Sequence, residues 1–183
     1  MSNDAKAMTE HLEKTFAMRA PADFFAKLQW EAAKLKGMDP RDLPGYIYQA
    51  VTCASDAWHM ADWVFHALPR DERAKYPRDK RYRDFVRKDS EALAICREIA
   101  DSSKHCRLTH EPDPQIETRF MLAPNANTGT EDIWWFVIRK GRICDIRQVI
   151  EDAQMYWCRV LDGYGLSRET PQEDLYRPDR SIL

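Results

Sequence analysis

The chain has 183 residues, with 28 Lys and Arg against 30 Asp and Glu, for a net charge of −2. That length suits one domain able to bury its own core, and so even a balance excludes a global field drawing in nucleic acid or acidic membrane. No apolar run reaches the length of a membrane span. The first stretch, MSNDAKAMTEHLEK, lacks the basic and apolar regions of a signal peptide, so a soluble, cytoplasmic protein is expected.

Residues 4–18 read as a helix, with Met8, Leu12 and Phe16 four residues apart. A second helix over 21–36 starts at Pro21, suited to a first turn, and buries Phe24, Phe25, Leu28, Ala32 and Leu35 before Gly37. The turn pairs Asp39-Pro40 and Pro44-Gly45 mark a linker.

A third helix over 46–68 is the longest apolar run and carries no Lys, Arg or Glu. Advancing 100° per residue separates two faces. Ala50, Ala54, Ala57, Ala61, Val64 and Leu68 line one, small enough for another helix to approach closely. Tyr48, Thr52, Ser55, His59, Asp62, Trp63 and His66 line the other. Solvent-facing stripes are normally filled with strong helix formers such as Lys and Glu. A stripe of His, Asp, Ser and Thr instead predicts a polar seam between helices.

Arg70 to Asp89 mixes acids and bases and reads as a solvated connection and helix start. Its interleaved Arg, Lys and Tyr can also hold phosphates and stack bases. One helix is expected over 82–105. Near its end Arg97, Asp101 and Lys104 share a face. After a loop the period changes to two, predicting strands over 116–122, 133–139 and 142–146, the last two joined by a Lys140-Gly141 turn. Ile146, Val149, Ile150, Ala153, Trp157, Val160 and Leu161 give a helix over 146–162 one apolar face. Residues 166–183 read as a loosely ordered tail. The expected fold is mainly helical α+β: a helical bundle within 1–165, with a small antiparallel sheet and a C-terminal helix.

Three chemistries suit these residues. His59, Asp62 and His66 could offer ligands to one metal ion, as in a small metal-dependent hydrolase, with His105, His110, Asp101 or Cys106 as outside donors. No second ligand set of recognisable spacing accompanies them, so no metal or cofactor is expected. Asp62 could instead pair with Arg97, and Asp101 with His59, His66 or Lys104, as a purely structural ionic network. Finally, a histidine and a cation at a helix end can cleave RNA without metal, the first moving protons and the second stabilising phosphate charge. Nucleophilic and nucleotide sites are not indicated. The five cysteines form no CxxC pair, Cys106 and His105 are adjacent and so do not face each other in a helix, and the six glycines build no phosphate loop.

The run Arg97-Glu98-Ile99-Ala100-Asp101-Ser102-Ser103-Lys104-His105 resembles the Arg…His signature of HEPN-type helical proteins. That resemblance implies a helical bundle that often dimerises and a ribonuclease centre at a helix end. His105 would then be the general acid/base, Arg97 would stabilise the phosphate and Lys104 would hold substrate, with His59, Asp62, His66 and Asp101 completing the pocket. AWHMADWVFH taken with REIADSSKH also resembles uncharacterised bacterial helical proteins, which implies no activity. The rival expectation is a noncatalytic module. In it the ionic groups are structural, and Trp134, Trp135 or the C-terminal tail meets a partner protein.

Overall fold

The computed structural model describes residues 18–104, 113–124, 129 and 131–167. Over these the chain forms six helices and one three-stranded antiparallel sheet, a mainly helical α+β fold. The expected helix over 4–18 and the tail from 166 lie outside the described residues apart from Met18, Leu166 and Ser167. Met18 and Leu166 pack against the core.

Helix α1 (Pro21–Gly37) opens with Pro21 in its first turn, and the Asp23 carboxylate accepts the backbone N–H groups of Arg19 and Ala20 at 2.8 and 2.9 Å. Helix α2 (Leu43–Ala67) begins three residues before the expected Tyr46. Asp42 caps it by accepting the Gly45 N–H at 3.4 Å. A side chain at Gly45 would collide with that carboxylate. The helix stops ahead of Pro69, which forces Leu68 into extended backbone. Ala54, Ala57 and Ala61 are completely buried, as the small-residue face requires.

The chain then corrects the single helix expected over 82–105. A short α3 (Arg70–Ala74) precedes α4 (Asp79–Asp89) and α5 (Glu91–Lys104). The break falls at buried Ser90, whose backbone is extended at φ −126° and ψ 118°. Its N–H donates to the Val86 carbonyl to close α4, while its hydroxyl accepts the Leu93 N–H at 3.2 Å to open α5. One serine therefore ends one helix and caps the next.

The strands β1 (Ile116–Pro124), β2 (Glu131–Arg139) and β3 (Arg142–Asp145) are ordered β1-β2-β3. Lys140 and Gly141 both take positive φ, 49° and 75°, the backbone a tight two-residue hairpin needs. Asp145 caps α6 (Ile146–Tyr164) by accepting the Arg147 N–H at 2.7 Å, so Ile146 begins the helix and does not end the strand. Gly165, at φ 66°, closes α6 in the left-handed region, with the Leu166 N–H reaching back to the Leu161 carbonyl.

Helices α1, α2, α5 and α6 pack around one core. Trp157 of α6 is completely buried, and its indole N–H donates to the Ala57 carbonyl of α2 at 2.8 Å. The sheet sits at the end of the bundle where α2 begins. Trp135 stacks on Tyr46, with ring centres 6.1 Å apart, and donates to the Pro40 carbonyl at 3.2 Å. Arg139 reaches Glu91 at 3.4 Å and Asp113 at 3.7 Å.

Candidate functional site

The packing of α5 on α2 brings two of the expected residues together: the Lys104 ammonium lies 3.2 Å from His59 Nε2. Partial burial holds the His59 pKa below the ordinary histidine value, and the Lys104 charge pushes it the same way. Asp62, Asp56 and Asp101 pull in the opposite direction without reversing it. His59 is thus the neutral base of the group, with a cation beside it.

The other expected residues find partners elsewhere. Arg97 is clamped between Glu98 at 2.7 Å and Asp101 at 3.1 Å, and its side chain is only 13% exposed. Asp62 faces Arg83 of α4 at 3.6 Å, and Arg83 also meets Asp79 at 2.9 Å. His66 is exposed, and its carbonyl accepts from Arg73 at 3.3 Å. His105, Cys106 and His110 lie outside the described residues. Among the described residues, no three His, Cys, Asp or Glu side chains converge as a metal ion would require.

A second polar network joins α1 to α2, and its central residue, Asp56, lies outside the stripe legible in the sequence. Asp56 is 7% exposed and is held by Lys27. Lys27 also reaches Glu31 at 3.9 Å; Glu31 in turn meets Lys34 at 3.6 Å and accepts from buried Gln49 at 2.6 Å. Burial raises the Asp56 pKa even though Lys27 opposes the shift. The sequence signal was there in part: Lys27, Glu31 and Lys34 fall on one face of α1. Which residue of α2 they meet depends on how the helices pack.

Between the inner face of the sheet and helices α2 and α5 lies a cleft of about 540 Å³. Ile47, Val51, Ile99, Ile116, Trp135 and Val137 give it an apolar lining. Ser102, Ser103 and Thr118 add hydroxyls, while Glu98 and Asp113 on its wall are engaged by Arg97 and Arg139. Two of the described thiols, Cys53 and Cys96, are buried and ill suited to nucleophilic work. Burial pushes Cys53 up to about 11 and raises Cys96 as well.

The outer face of the sheet is different in kind. Residues paired across antiparallel strands share a face, and side chains alternate along each strand. Trp135 and Val137 point toward the helices, so Trp134, Phe136 and Ile138 point away, together with Met121 opposite Trp134 and Ile143 opposite Ile138. Trp134 is 56% exposed and Ile143 is 67% exposed. On the same face, Glu117 and Arg119 of β1 meet at 2.6 Å. Sequence reasoning singled out Trp134 but not the three-strand apolar surface to which it belongs.

Comparison of the chain with protein-family models, with curated proteins and with solved structures finds no match in any of the three.

Proposed function

We propose that the protein is a noncatalytic interaction module that meets a protein partner through the outer face of its sheet, its helix charges serving as an internal ionic network. The observation that carries this reading is the apolar stripe Met121, Trp134, Phe136, Ile138 and Ile143, which crosses all three strands with Trp134 and Ile143 more than half exposed. Contiguous apolar surface of this kind marks interaction sites, and tryptophan is prominent among residues that anchor them. The ionic groups support the same reading. Arg97, Asp101, Asp62 and Asp56 are each matched by a neighbour of opposite charge: Arg97 and Asp101 pair within α5, while Asp62–Arg83 and Asp56–Lys27 tie α2 to α4 and α1.

A photoreactive amino acid in place of Trp134, in the full chain in cells, tests this. It should yield a discrete crosslinked polypeptide, whereas the same probe in place of Arg159, exposed on α6, should yield none. Equal labelling at both positions, or none at Trp134, would overturn the reading.

The Lys104–His59 contact favours a second reading, HEPN-like RNA binding or cleavage. A neutral imidazole beside an ammonium provides a base and a phosphate-binding cation at the end of α5. Cleavage of RNA in EDTA, lost in Lys104→Ala and Arg97→Ala, would support it. An inert parent protein would remove it.

A further inference from the structure

We infer that the outer edge of β1 pairs antiparallel with the same edge of a second copy of this chain, in the register that sets Glu117 opposite the partner subunit's Arg119. This goes beyond the interaction-module reading, which concerns the outer face of the sheet, and assigns an occupant to the open edge of the same sheet. β1 spans nine residues and is an edge strand; among the described residues nothing pairs with its far side. The opposite edge, β3, has only four residues, and its Arg142 is tied to Glu91 at 3.3 Å. A long open edge offers a ladder of unpaired backbone groups to another strand.

The charges on that edge choose the occupant. Glu117 and Arg119 are two residues apart, on the same outer face, with side chains 52% and 61% exposed. A twofold axis perpendicular to the sheet must pass through one residue of β1, because paired side chains have to share a face. An axis at Glu117 sets glutamate on glutamate, and one at Arg119 sets arginine on arginine. The axis at Thr118 between them gives two opposite-charge pairs at once. It also places Ile116 opposite the partner subunit's Phe120, on the inner face, where Phe120 is exposed. Two charges of one sign would repel a second copy. Glutamate and arginine two residues apart are self-complementary in this one register.

Sedimentation of the full chain tests the proposal. The expected species at about 100 µM has twice the 21.5 kDa mass of the chain. Glu117→Arg alone and Arg119→Glu alone should each weaken the dimer roughly tenfold or more, because both pairs become like-charged. An equimolar mixture of these two chains should regain it, since every cross-strand pair is again opposite in sign. Both substitutions are at exposed positions, and circular dichroism of each chain checks that the fold is intact. A monomeric parent, or a dimer indifferent to both substitutions, overturns the second-copy inference. In either case a crosslink from position 134 to a different polypeptide would leave the interaction-module reading standing, and absence of any crosslink would remove that reading too.

Discussion

Lys104 Nζ faces His59 Nε2 at 3.2 Å, so an ammonium donor meets a ring nitrogen that must keep its lone pair. Protonating His59 would bring two cations together across the α2–α5 contact. The folded-state pKa of His59 is depressed, first by burial and then by Lys104. A depressed pKa means that the unfolded chain binds the proton more readily. Stability is therefore full above the ordinary histidine value of about 6.5 and falls as pH drops through the folded value. His59→Gln should flatten this acid limb, measured as urea midpoints between about pH 7.5 and 5. Lys104→Met should raise the imidazole midpoint toward the ordinary value in an NMR titration. An unmoved midpoint would show that the ammonium exerts no influence on the ring.

The Lys27–Asp56 pair makes the opposite contribution to the pH profile. Burial raises the Asp56 pKa, so the folded chain holds this proton more readily than the unfolded one, and the group's contribution grows as pH falls through its folded value. At neutral pH the carboxylate depends on Lys27. Lys27→Met leaves a buried charge without its counter-ion and should cost about 1–3 kcal/mol in urea unfolding, at the modest end because the Lys27 side chain is 36% exposed. The double change Lys27→Met with Asp56→Leu should recover most of that loss, because two apolar groups need no counter-ion. Equal loss in the single and double variants would mean that packing, not charge, governs this contact.

Ser90 offers a sharper test of local structure. Its hydroxyl accepts the Leu93 N–H and so takes up one of the donors left free at the start of α5. Ser90→Ala should cost about 1 kcal/mol, while Ser90→Asp should retain much of the cap. Paired urea denaturation curves of the two variants check the order. An alanine variant as stable as the parent would mean that the break between α4 and α5 is set by the packing of Val86 and Leu93 and not by the cap.

The same serine shows where the sequence was legible and where it was not. Apolar spacing continues through Phe85, Val86, Ala92 and Leu93, so periodicity alone sees one helix there. A serine is nearly neutral in mid-helix unless its side chain turns back to cap, and that turn is a tertiary outcome. By contrast, the Lys140-Gly141 hairpin and the apolar face of α6 follow from local chemistry and could be read directly. Within the candidate site, Arg97 and Asp101 are four residues apart on one helix, so their shared face was legible, but the expected partner of Arg97 was Asp62 and not Asp101. The Lys104–His59 contact was legible only as a shared seam. Asp62 meets Arg83, and Asp56 meets Lys27, through helix rotations that no spacing within a single helix encodes. The exposed sheet face escaped notice because alternation identifies two faces without saying which one the helices cover.

The α2–α6 contact in the core can be tested through Ala57 and Trp157. Ala57 is completely buried, and its carbonyl, already in the helix ladder, uses a second lone pair to accept the Trp157 indole N–H at 2.8 Å. The indole can reach that oxygen only because the α2 face is built of alanine. Ala57→Leu should push α6 away and cost about 1–3 kcal/mol, with no gain from the added apolar volume. Trp157→Phe keeps most of the ring but loses the donor, whereas Trp157→Ala removes the ring and should cost about 3–5 kcal/mol. Tryptophan fluorescence is compromised as a probe in the Trp157 variants, so far-ultraviolet circular dichroism in urea should follow unfolding. The expected order of stability is parent, Trp157→Phe, then Trp157→Ala. If Ala57→Leu were as stable as the parent, α2 and α6 would have to stand farther apart than the 2.8 Å hydrogen bond allows.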